Sequence, residues 1–315
     1  MRGVSVTNQK LRFCALIILI FVFLALPTVI PTYALFILFL MLVNMCLAQS
    51  WNLCGGFGGL ISLSHAAFIG LGGYAAAYWC LAWRNSWIAV YLGIITGGCL
   101  AALFALLISI PLLRLRGAYF AIGTLAVSEA LKIWMINWPG AGGPAGIRPP
   151  AYPQYSLTHS YYVALFLAIA TSLVVWKIKN SKLGIAALAI RDNIDASEIV
   201  GVNTFKIRAY ILAISAFIAG AAGGISTAHS LMIEPYAGFS FLTTLWAMNM
   251  VFLGGIGTIL GPIFGAVAVT IIKEAIAVFA EVQLLITCLL LMVIITFLPE
   301  GIVKFRWKIP RALKS

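Results

Sequence analysis

Charged side chains are scarce in this sequence, and acidic ones are the scarcest. Only 8 of its 315 residues are Asp or Glu, against 20 Lys or Arg, and charged residues make up 9% of the chain. Soluble globular domains carry roughly 25% charged residues. The shortage excludes an ordinary soluble domain. With 63% hydrophobic residues and a mean hydropathy of +1.08, the composition indicates an integral membrane protein.

Patterns that carry chemistry are missing as well. No G-x-x-x-x-G-K-[ST] phosphate-binding loop occurs, so the sequence does not predict ATP hydrolysis by this chain. The cysteines form no C-x-x-C pair and the histidines are far apart, so we expect neither a disulfide framework nor a metal site. No nucleophile, base and orienting group stand at a recognisable spacing, so we predict no catalytic residue. The sequence therefore favours a transporter over a membrane enzyme.

What the sequence has is a succession of apolar runs, each long enough to cross a hydrocarbon core of about 30 Å as a helix. They predict an all-α membrane protein, a single domain over 1–315 without a separate soluble part. We expect about ten transmembrane helices, with uncertain boundaries, at 13–30, 33–51, 65–83, 87–113, 117–138, 160–177, 207–231, 241–256, 262–280 and 282–298. The first run has no convincing cleavage site after it and is interpreted as a retained helix.

The net charge of +12 is explained by membrane topology rather than by nucleic-acid binding, because the basic residues lie where a membrane topology would place them. With the N-terminus inside, most Lys and Arg residues fall in the inner segments, whereas the outer loops hold only Arg84 and Arg148. This asymmetry predicts cytoplasmic N- and C-termini and an even number of crossings. We expect no nucleic-acid partner.

Two glycine-rich stretches interrupt the apolar pattern. We name GGFGGLISLS (55–64) the first break and LGGIGTILGP (253–262) the second break. Neither holds a charge, which favours buried or re-entrant backbone over an exposed loop. Transporters often place their substrate path at such segments. Close helix packing is the alternative, because pairs such as Gly93/Gly97 and Gly220/Gly224 have small-xxx-small spacing.

One segment, residues 181–206, brings together charges in a helix-prone sequence, and we name it the charged loop. Its apolar residues recur at helical spacing: Leu183, Ala187, Ile190 and Ile194. Asp195, with Glu198 three residues later, predicts the cap of a second short helix. Gly201 stands where a left-handed residue would end that helix. Two short helices favour a docking element, and a plain solvated loop is the alternative.

Five polar residues in or beside the spans are candidates for the substrate path: Ser62, Ser64, His65, Glu129 and Asn249. An intramembrane acid is costly and is usually paired, so an ion pair between Glu129 and Lys132 is the structural alternative for that residue. For His65, the alternative is a hydrogen bond that supports a broken helix. Lys273 and Glu274 are adjacent and point to different faces of their span, so one of them can reach another span.

Five segments resemble, in chain order, signature stretches of LivM-type permeases of branched-chain amino acid ABC importers. They are WNLCGGFGGLISLSHAAFIGLGGYAAA (51–77), LRLRGAYFAIGTLAVSE (113–129), GGPAGI (142–147), SKLGIAALAIRDNIDASEIVGVN (181–203) and LGGIGTILGPIFGA (253–266). Within the fourth segment, Asp195, Ala196, Ser197 and Gly201 approximate the E-A-A, three residues, G pattern of ABC importer permeases. Ser64 departs from the family's usual Gly, and Pro144 and Ala145 replace a more polar pair.

The resemblance implies a permease subunit of an ATP-driven ABC importer for branched-chain or similar neutral amino acids, in the bacterial cytoplasmic (inner) membrane. The implied partners are a LivH-like second permease, two cytoplasmic ABC ATPases and an extracytoplasmic binding protein. The ATPases use the ATP, so the resemblance implies no cofactor in this chain. The charged loop would be the ATPase-coupling loop, with these coupling residues: Gly184, Arg191, Asp195, Ala196, Glu198 and Gly201.

Two alternatives stay open. One is an autonomous secondary transporter or channel for small polar solutes, for which we expect more unpaired intramembrane acids than this chain has. The other is an ABC permease for amides or urea.

Overall fold

The structure, a computed structural model, describes residues 26–83, 86–150, 156–276, 283–297 and 301–303. This part of the chain is helical apart from its connections and one isolated bridge between Ile147 and Ile233. The α-helices are α1 (Thr32–Trp51), α2 (His65–Ala82), α3 (Trp87–Leu112), α4 (Ala118–Asn137), α5 (Leu157–Lys179), α6 (Lys182–Asp192), α7 (Ile194–Ile199), α8 (Thr204–Ser230), α9 (Pro235–Gly238), α10 (Phe241–Gly254), α11 (Leu260–Ile276) and α12 (Gln283–Phe297). A π-helical turn, Asn52–Phe57, continues α1, and two 3₁₀ turns, Pro139–Ala141 and Gly143–Ala145, follow α4.

Six helices in the described ranges are long and apolar enough to cross a membrane. They are Thr32–Phe57, Trp87–Leu112, Ala118–Asn137, Leu157–Lys179, Thr204–Ser230 and Pro235–Gly254. The predicted all-helical membrane fold is therefore confirmed, whereas the predicted number of about ten spans is not. The run at 65–83 forms α2, which is not among these six helices, and the last two runs form α11 and α12, of 17 and 15 residues. The run at 13–30 lies mostly outside the described residues.

Helix α8 forms the centre of the bundle and packs against α2 and α3. Glycines permit this approach: a Cβ atom on Gly97 would lie 2.8 Å from the Gly72 Cα, and one on Gly220 would lie 2.6 Å from the Gly97 carbonyl oxygen. Small residues at such crossings let helix backbones come close in a membrane. The close packing predicted from the glycine spacing is thus present between these three helices.

The charged loop contains the two predicted short helices, α6 and α7. The apolar stripe of α6 faces inward, where Ala187 and Ile190 are buried. The prediction that Asp195 caps α7 is wrong. Asn193 is the cap, since its Oδ1 accepts a hydrogen bond of 3.0 Å from the Ala196 N–H, and Asp195 lies in the first turn. Gly201 follows α7 with φ +88°, as predicted for the helix end.

Candidate coupling site and substrate path

The two glycine-rich breaks lie against one another. A Cβ atom on Gly56 would lie 2.8 Å from the Gly257 nitrogen. Asn52, three residues before the first break, bonds to the second break: its Oδ1 accepts from the Gly257 N–H at 2.9 Å, and its Nδ2 donates to the Thr258 carbonyl at 2.8 Å. One helical turn earlier, Gln49 Nε2 donates to the Ile259 carbonyl at 2.8 Å. Three backbone groups of the second break therefore have partners inside the protein, as irregular backbone at membrane depth requires.

Arg191, near the end of α6, joins the charged loop to both breaks. Its Nη1 donates a hydrogen bond of 2.7 Å to the Gly56 carbonyl in the first break. A Cβ atom on Gly257 in the second break would lie 2.9 Å from Arg191 Nη1, and one on Gly59 would lie 2.8 Å from Arg191 Cγ. The absence of side chains at these glycines leaves the groove in which Arg191 lies. Asp192 accepts from the Arg191 guanidinium at 3.1 Å and 3.2 Å, which fixes its orientation.

A cavity of about 220 Å³ opens beside this contact, between the charged loop and the first break. Arg116, Arg191 and Arg208 all line it. Arg208 is 9% exposed, and its Nε has no hydrogen-bond partner among the described residues. Leaving a buried guanidinium donor unsatisfied is costly. The cavity is therefore suited to a carboxylate or another anion.

The outer face of the charged loop is apolar at three exposed positions, which we name the docking surface: Ile185, Ile199 and Val200. Their exposed fractions are 65%, 87% and 82%. Ile199 and Val200 are adjacent, and a contiguous exposed apolar patch marks an interaction site, whereas single exposed apolar residues are normal. This exposure favours the interpretation of the charged loop as a docking element over that of a plain solvated loop.

The other predicted coupling residues shape the loop. A Cβ atom on Gly184 would collide with the Ile178 carbonyl. Asp195 forms an exposed ion pair of 3.2 Å with Arg116. Glu198 accepts a hydrogen bond of 2.6 Å from Thr204 Oγ1 and so ties α7 to the start of α8. Ala196 is exposed, and it takes part through its backbone: its N–H donates to the Asn193 cap, and its carbonyl accepts from the Val200 N–H at 3.3 Å.

His65 lies in a fully buried hydrogen-bonded group at the start of α2. Its Nε2 is 3.0 Å from Ser215 Oγ of α8, and Ser50 Oγ of α1 donates to the Ser215 carbonyl at 2.7 Å. Ser62 and Ser64 are close by in the chain and share a hydrogen bond of 2.9 Å. The contacts join three helices, which favours the structural reading of His65.

Ser50 and Ser215 are members of this group that the sequence analysis did not single out. A lone Ser inside an apolar span gives no signal of what it contacts. Ser64 has φ −88° and ψ 4°, and a negative φ does not require Gly, so this backbone accommodates the departure from the family's usual Gly.

The two remaining path candidates lie apart from the His65 group. Glu129 forms the predicted ion pair with Lys132 on α4, the least buried of the six spans. Asn249 is buried in α10, and its Nδ2 donates to the Thr287 carbonyl of α12 at 3.3 Å. In the described part of the chain no hydrogen bond joins either residue to His65. A path role for any of the five residues stays a prediction.

A multi-pass helical protein whose broken segments meet beneath an exposed helical loop has the architecture of a membrane transport protein. Residues 33–298 match the family described as "Branched-chain amino acid transport system / permease component", and the chain belongs to this family. It is a transport subunit rather than an enzyme.

Similarity to individual relatives extends over nearly the whole chain. The chain is 26% identical to the high-affinity branched-chain amino acid transport system permease protein LivM of Escherichia coli (strain K12), over 95% of this chain and 76% of that protein. LivM of Salmonella typhimurium gives the same identity and coverage. LivH of Escherichia coli (strain K12) is 27% identical over 45% of each chain. No solved structure matches. The predicted resemblance to LivM-type permeases is confirmed.

Proposed function

We propose that this chain is the membrane-spanning permease subunit of an ATP-driven importer of branched-chain or similar neutral amino acids. The observation that carries the proposal is the LivM-like sequence over 95% of the chain, combined with a charged loop that contacts both glycine-rich breaks through Arg191. The sequence similarity to LivM supports branched-chain or similar neutral amino acids as the transported substrates. The Arg191 contacts support a permease that is moved by a partner bound at the charged loop.

The coupling step follows from the position of the charged loop. Helices α6 and α7 connect α5 to α8, the central helix of the bundle. An ATPase seated on the docking surface would move α6, and Arg191 would carry that movement to the two breaks. A packed core transmits displacement of this kind because it has few discrete arrangements. The arginine-lined cavity offers a site for an acidic side chain of the same partner.

The assembly required by this function has four kinds of component besides the bilayer. They are this chain, a LivH-like second permease, two cytoplasmic ABC ATPases that hydrolyse the ATP, and an extracytoplasmic amino-acid-binding protein. The charged loop then lies in the cytoplasm, the helix pattern crosses the bacterial inner membrane about ten times, and both termini are cytoplasmic. The positive-inside distribution supports this orientation.

The test is to purify the tagged chain in mild detergent and to identify what accompanies it. We expect a second permease and an ATPase pair. After reconstitution with the binding protein, uptake of leucine into liposomes should require ATP, and unlabelled isoleucine and valine should compete. Uptake by the chain alone, without a nucleotide-hydrolysing partner, would reject the proposal in favour of an autonomous transporter. Competition by amides or urea in place of amino acids would reject the substrate class.

A further inference from the structure

A cavity of about 380 Å³ lies at the end of the bundle opposite the charged loop. Its walls come from α1, α2, α8, α10 and α11 and from the connection that contains Glu234. Along α8, Thr227 at this cavity is about 28 Å from Arg208 at the charged loop, given a rise of 1.5 Å per residue. The size falls in the range of about 300–1,000 Å³ that is typical of small-molecule sites.

The cavity has one charge of each sign in its walls. Lys273 is in the last turns of α11, and Glu234 precedes α9. Both are half-buried, and no ion pair within 4 Å joins them. The nearest acid in sequence to Lys273 is its neighbour Glu274, which attracts it electrostatically but is outside the cavity lining. Two opposite charges that line one cavity without pairing with each other suit a ligand that carries both charges itself.

The remaining lining divides into an apolar and a polar part. Val43 and Leu47 of α1 and Ile69 of α2 provide an aliphatic wall. Thr227 and Thr243 add hydroxyl groups that can bond a carboxylate or an ammonium group. A site of mainly apolar walls with a few placed polar groups is the usual form of a small-molecule pocket.

Hydrogen bonds hold the two segments that carry Lys273 and Glu234. Asn44 of α1 lines the cavity, and its Nδ2 donates to Thr270 Oγ1 of α11 at 2.9 Å. Thr270 lies one turn before Lys273, so this bond fixes the part of α11 that presents the lysine. The connection that contains Glu234 is held by the bridge between Ile147 and Ile233, since Ile233 directly precedes Glu234. The backbone that carries Lys273 and the backbone that carries Glu234 are thus each held by a hydrogen-bonded contact.

From this geometry we propose that the cavity binds an aliphatic α-amino acid as its zwitterion. Lys273 binds the carboxylate, Glu234 binds the α-ammonium group, and the wall of Val43, Leu47 and Ile69 receives the side chain. The inference rests on the proposed function, because it assigns the transported class to a site. In that orientation the cavity opens on the extracytoplasmic half of the bundle, where a binding protein delivers its cargo.

The test is direct binding of radiolabelled L-leucine to the complex purified with the tagged chain, in nanodiscs, without ATP and without the binding protein. We expect saturable binding that Lys273→Met and Glu234→Gln each weaken at least about tenfold, since each removes a charge-assisted contact. Lys182→Met is the matched control, because it makes the same change at an exposed lysine at the opposite end of the bundle, and it should keep affinity within about twofold. No saturable binding to the unaltered complex, or equal binding by both variants, would overturn the proposal.

Leucine analogues test the two charges separately. Leucinamide lacks the carboxylate and 4-methylpentanoate lacks the ammonium group, so both should compete poorly with leucine at the unaltered site. Lys273→Met should reduce the preference for leucine over leucinamide, whereas Glu234→Gln should reduce the preference over 4-methylpentanoate. Equal competition by all three compounds would reject a zwitterion site.

Two further outcomes separate the site from the proposed function. Should Lys273→Met fail to assemble, Glu234→Gln carries the test, because Glu234 lies on a connection and not in the packed part of a helix. ATP-dependent leucine uptake that proceeds normally in both variants would reject the site and leave the function intact. Absence of ATP-dependent uptake by the unaltered complex would reject the function itself, whatever the binding result.

Discussion

Arg191 Nη1 donates a hydrogen bond of 2.7 Å to the carbonyl oxygen of Gly56, a residue 135 positions earlier in the chain. The bond joins an exposed helix of the charged loop to a buried break in a membrane helix. Gly257 of the second break lies against the same nitrogen. One side chain of the charged loop therefore contacts both breaks, which a coupled movement would have to connect to that loop.

The first prediction concerns this contact. Arg191→Met keeps an unbranched apolar stem but removes the donor, which leaves the buried Gly56 carbonyl without this partner. We expect the amount of leucine imported per ATP hydrolysed to fall about tenfold, while ATPases still bind the complex. The measurement is paired uptake and ATP hydrolysis in proteoliposomes.

Lys182→Met is the control for that experiment, since Lys182 is an exposed cation at the other end of the same helix. Its ratio of uptake to hydrolysis should be unchanged. A normal ratio in Arg191→Met would contradict the coupling role. Arg191→Lys should recover only part of the ratio, because an ammonium group cannot reproduce the planar guanidinium fork.

Local features of the charged loop could be predicted from the sequence because short-range spacing determines them. The two short helices and the left-handed Gly201 are of this kind. The cap of α7 was misplaced because Asn193 and Asp195 are both good capping residues, two positions apart. The backbone is extended at Asn193, with φ −157° and ψ 112°, which brings its Oδ1 to the Ala196 N–H.

The contacts that form the site could not be predicted in the same way. Asn52 and Gly257 are 205 positions apart, and helical periodicity does not indicate which breaks meet. The same holds for Glu234 and Lys273, which share a cavity only because α11 packs against α1. A resemblance to a family predicts the order of segments, and the packing of helices decides which side chains face one another.

The second prediction concerns the docking surface. Ile199→Ser together with Val200→Ser removes two side chains that are 87% and 82% exposed, so the permease itself loses little packing. We expect the ATPases to be lost from the purified complex, because exposed apolar residues contribute to stability only when a partner covers them. The measurement is the ratio of ATPase to permease after affinity purification. Lys206→Ala, an exposed change in the same loop, should leave that ratio unchanged. Full ATPase recovery in the double variant would place the interface elsewhere.

The third prediction compares two glycines that are needed for different reasons. At Gly220, a Cβ atom would lie 2.7 Å from the Ala101 Cβ and 2.6 Å from the Gly97 carbonyl oxygen, so Gly220→Ala must push α8 away from α3. Overpacking of this kind costs about 1–3 kcal/mol. At Gly201 no atom lies within 4 Å of an added Cβ, and Gly201→Ala meets only the strain of a φ of +88°, about 1 kcal/mol.

Thermal unfolding in detergent, followed by size-exclusion chromatography of heated samples, measures this difference. The Gly220→Ala protein should lose its monodisperse peak at a lower temperature than the Gly201→Ala protein. The reverse order would mean that the helices can separate at little cost and that the glycine contact is not a packing constraint.

The last prediction decides between the structural and the path reading of His65. Ser215→Ala removes the hydroxyl that contacts His65 Nε2 and donates to the Ser50 carbonyl. Because both groups are fully buried, we expect a loss of about 1–3 kcal/mol in unfolding free energy, with an unchanged KM for leucine uptake in the complexes that assemble. Ser109→Ala is the matched control, since Ser109 is also buried and, among the described residues, its hydroxyl bonds to the Leu106 carbonyl of its own helix, so its loss should cost less. A raised KM at unchanged stability would instead assign the His65 group to the substrate path, because a residue that touches the passing amino acid affects binding without affecting the packing of the helices.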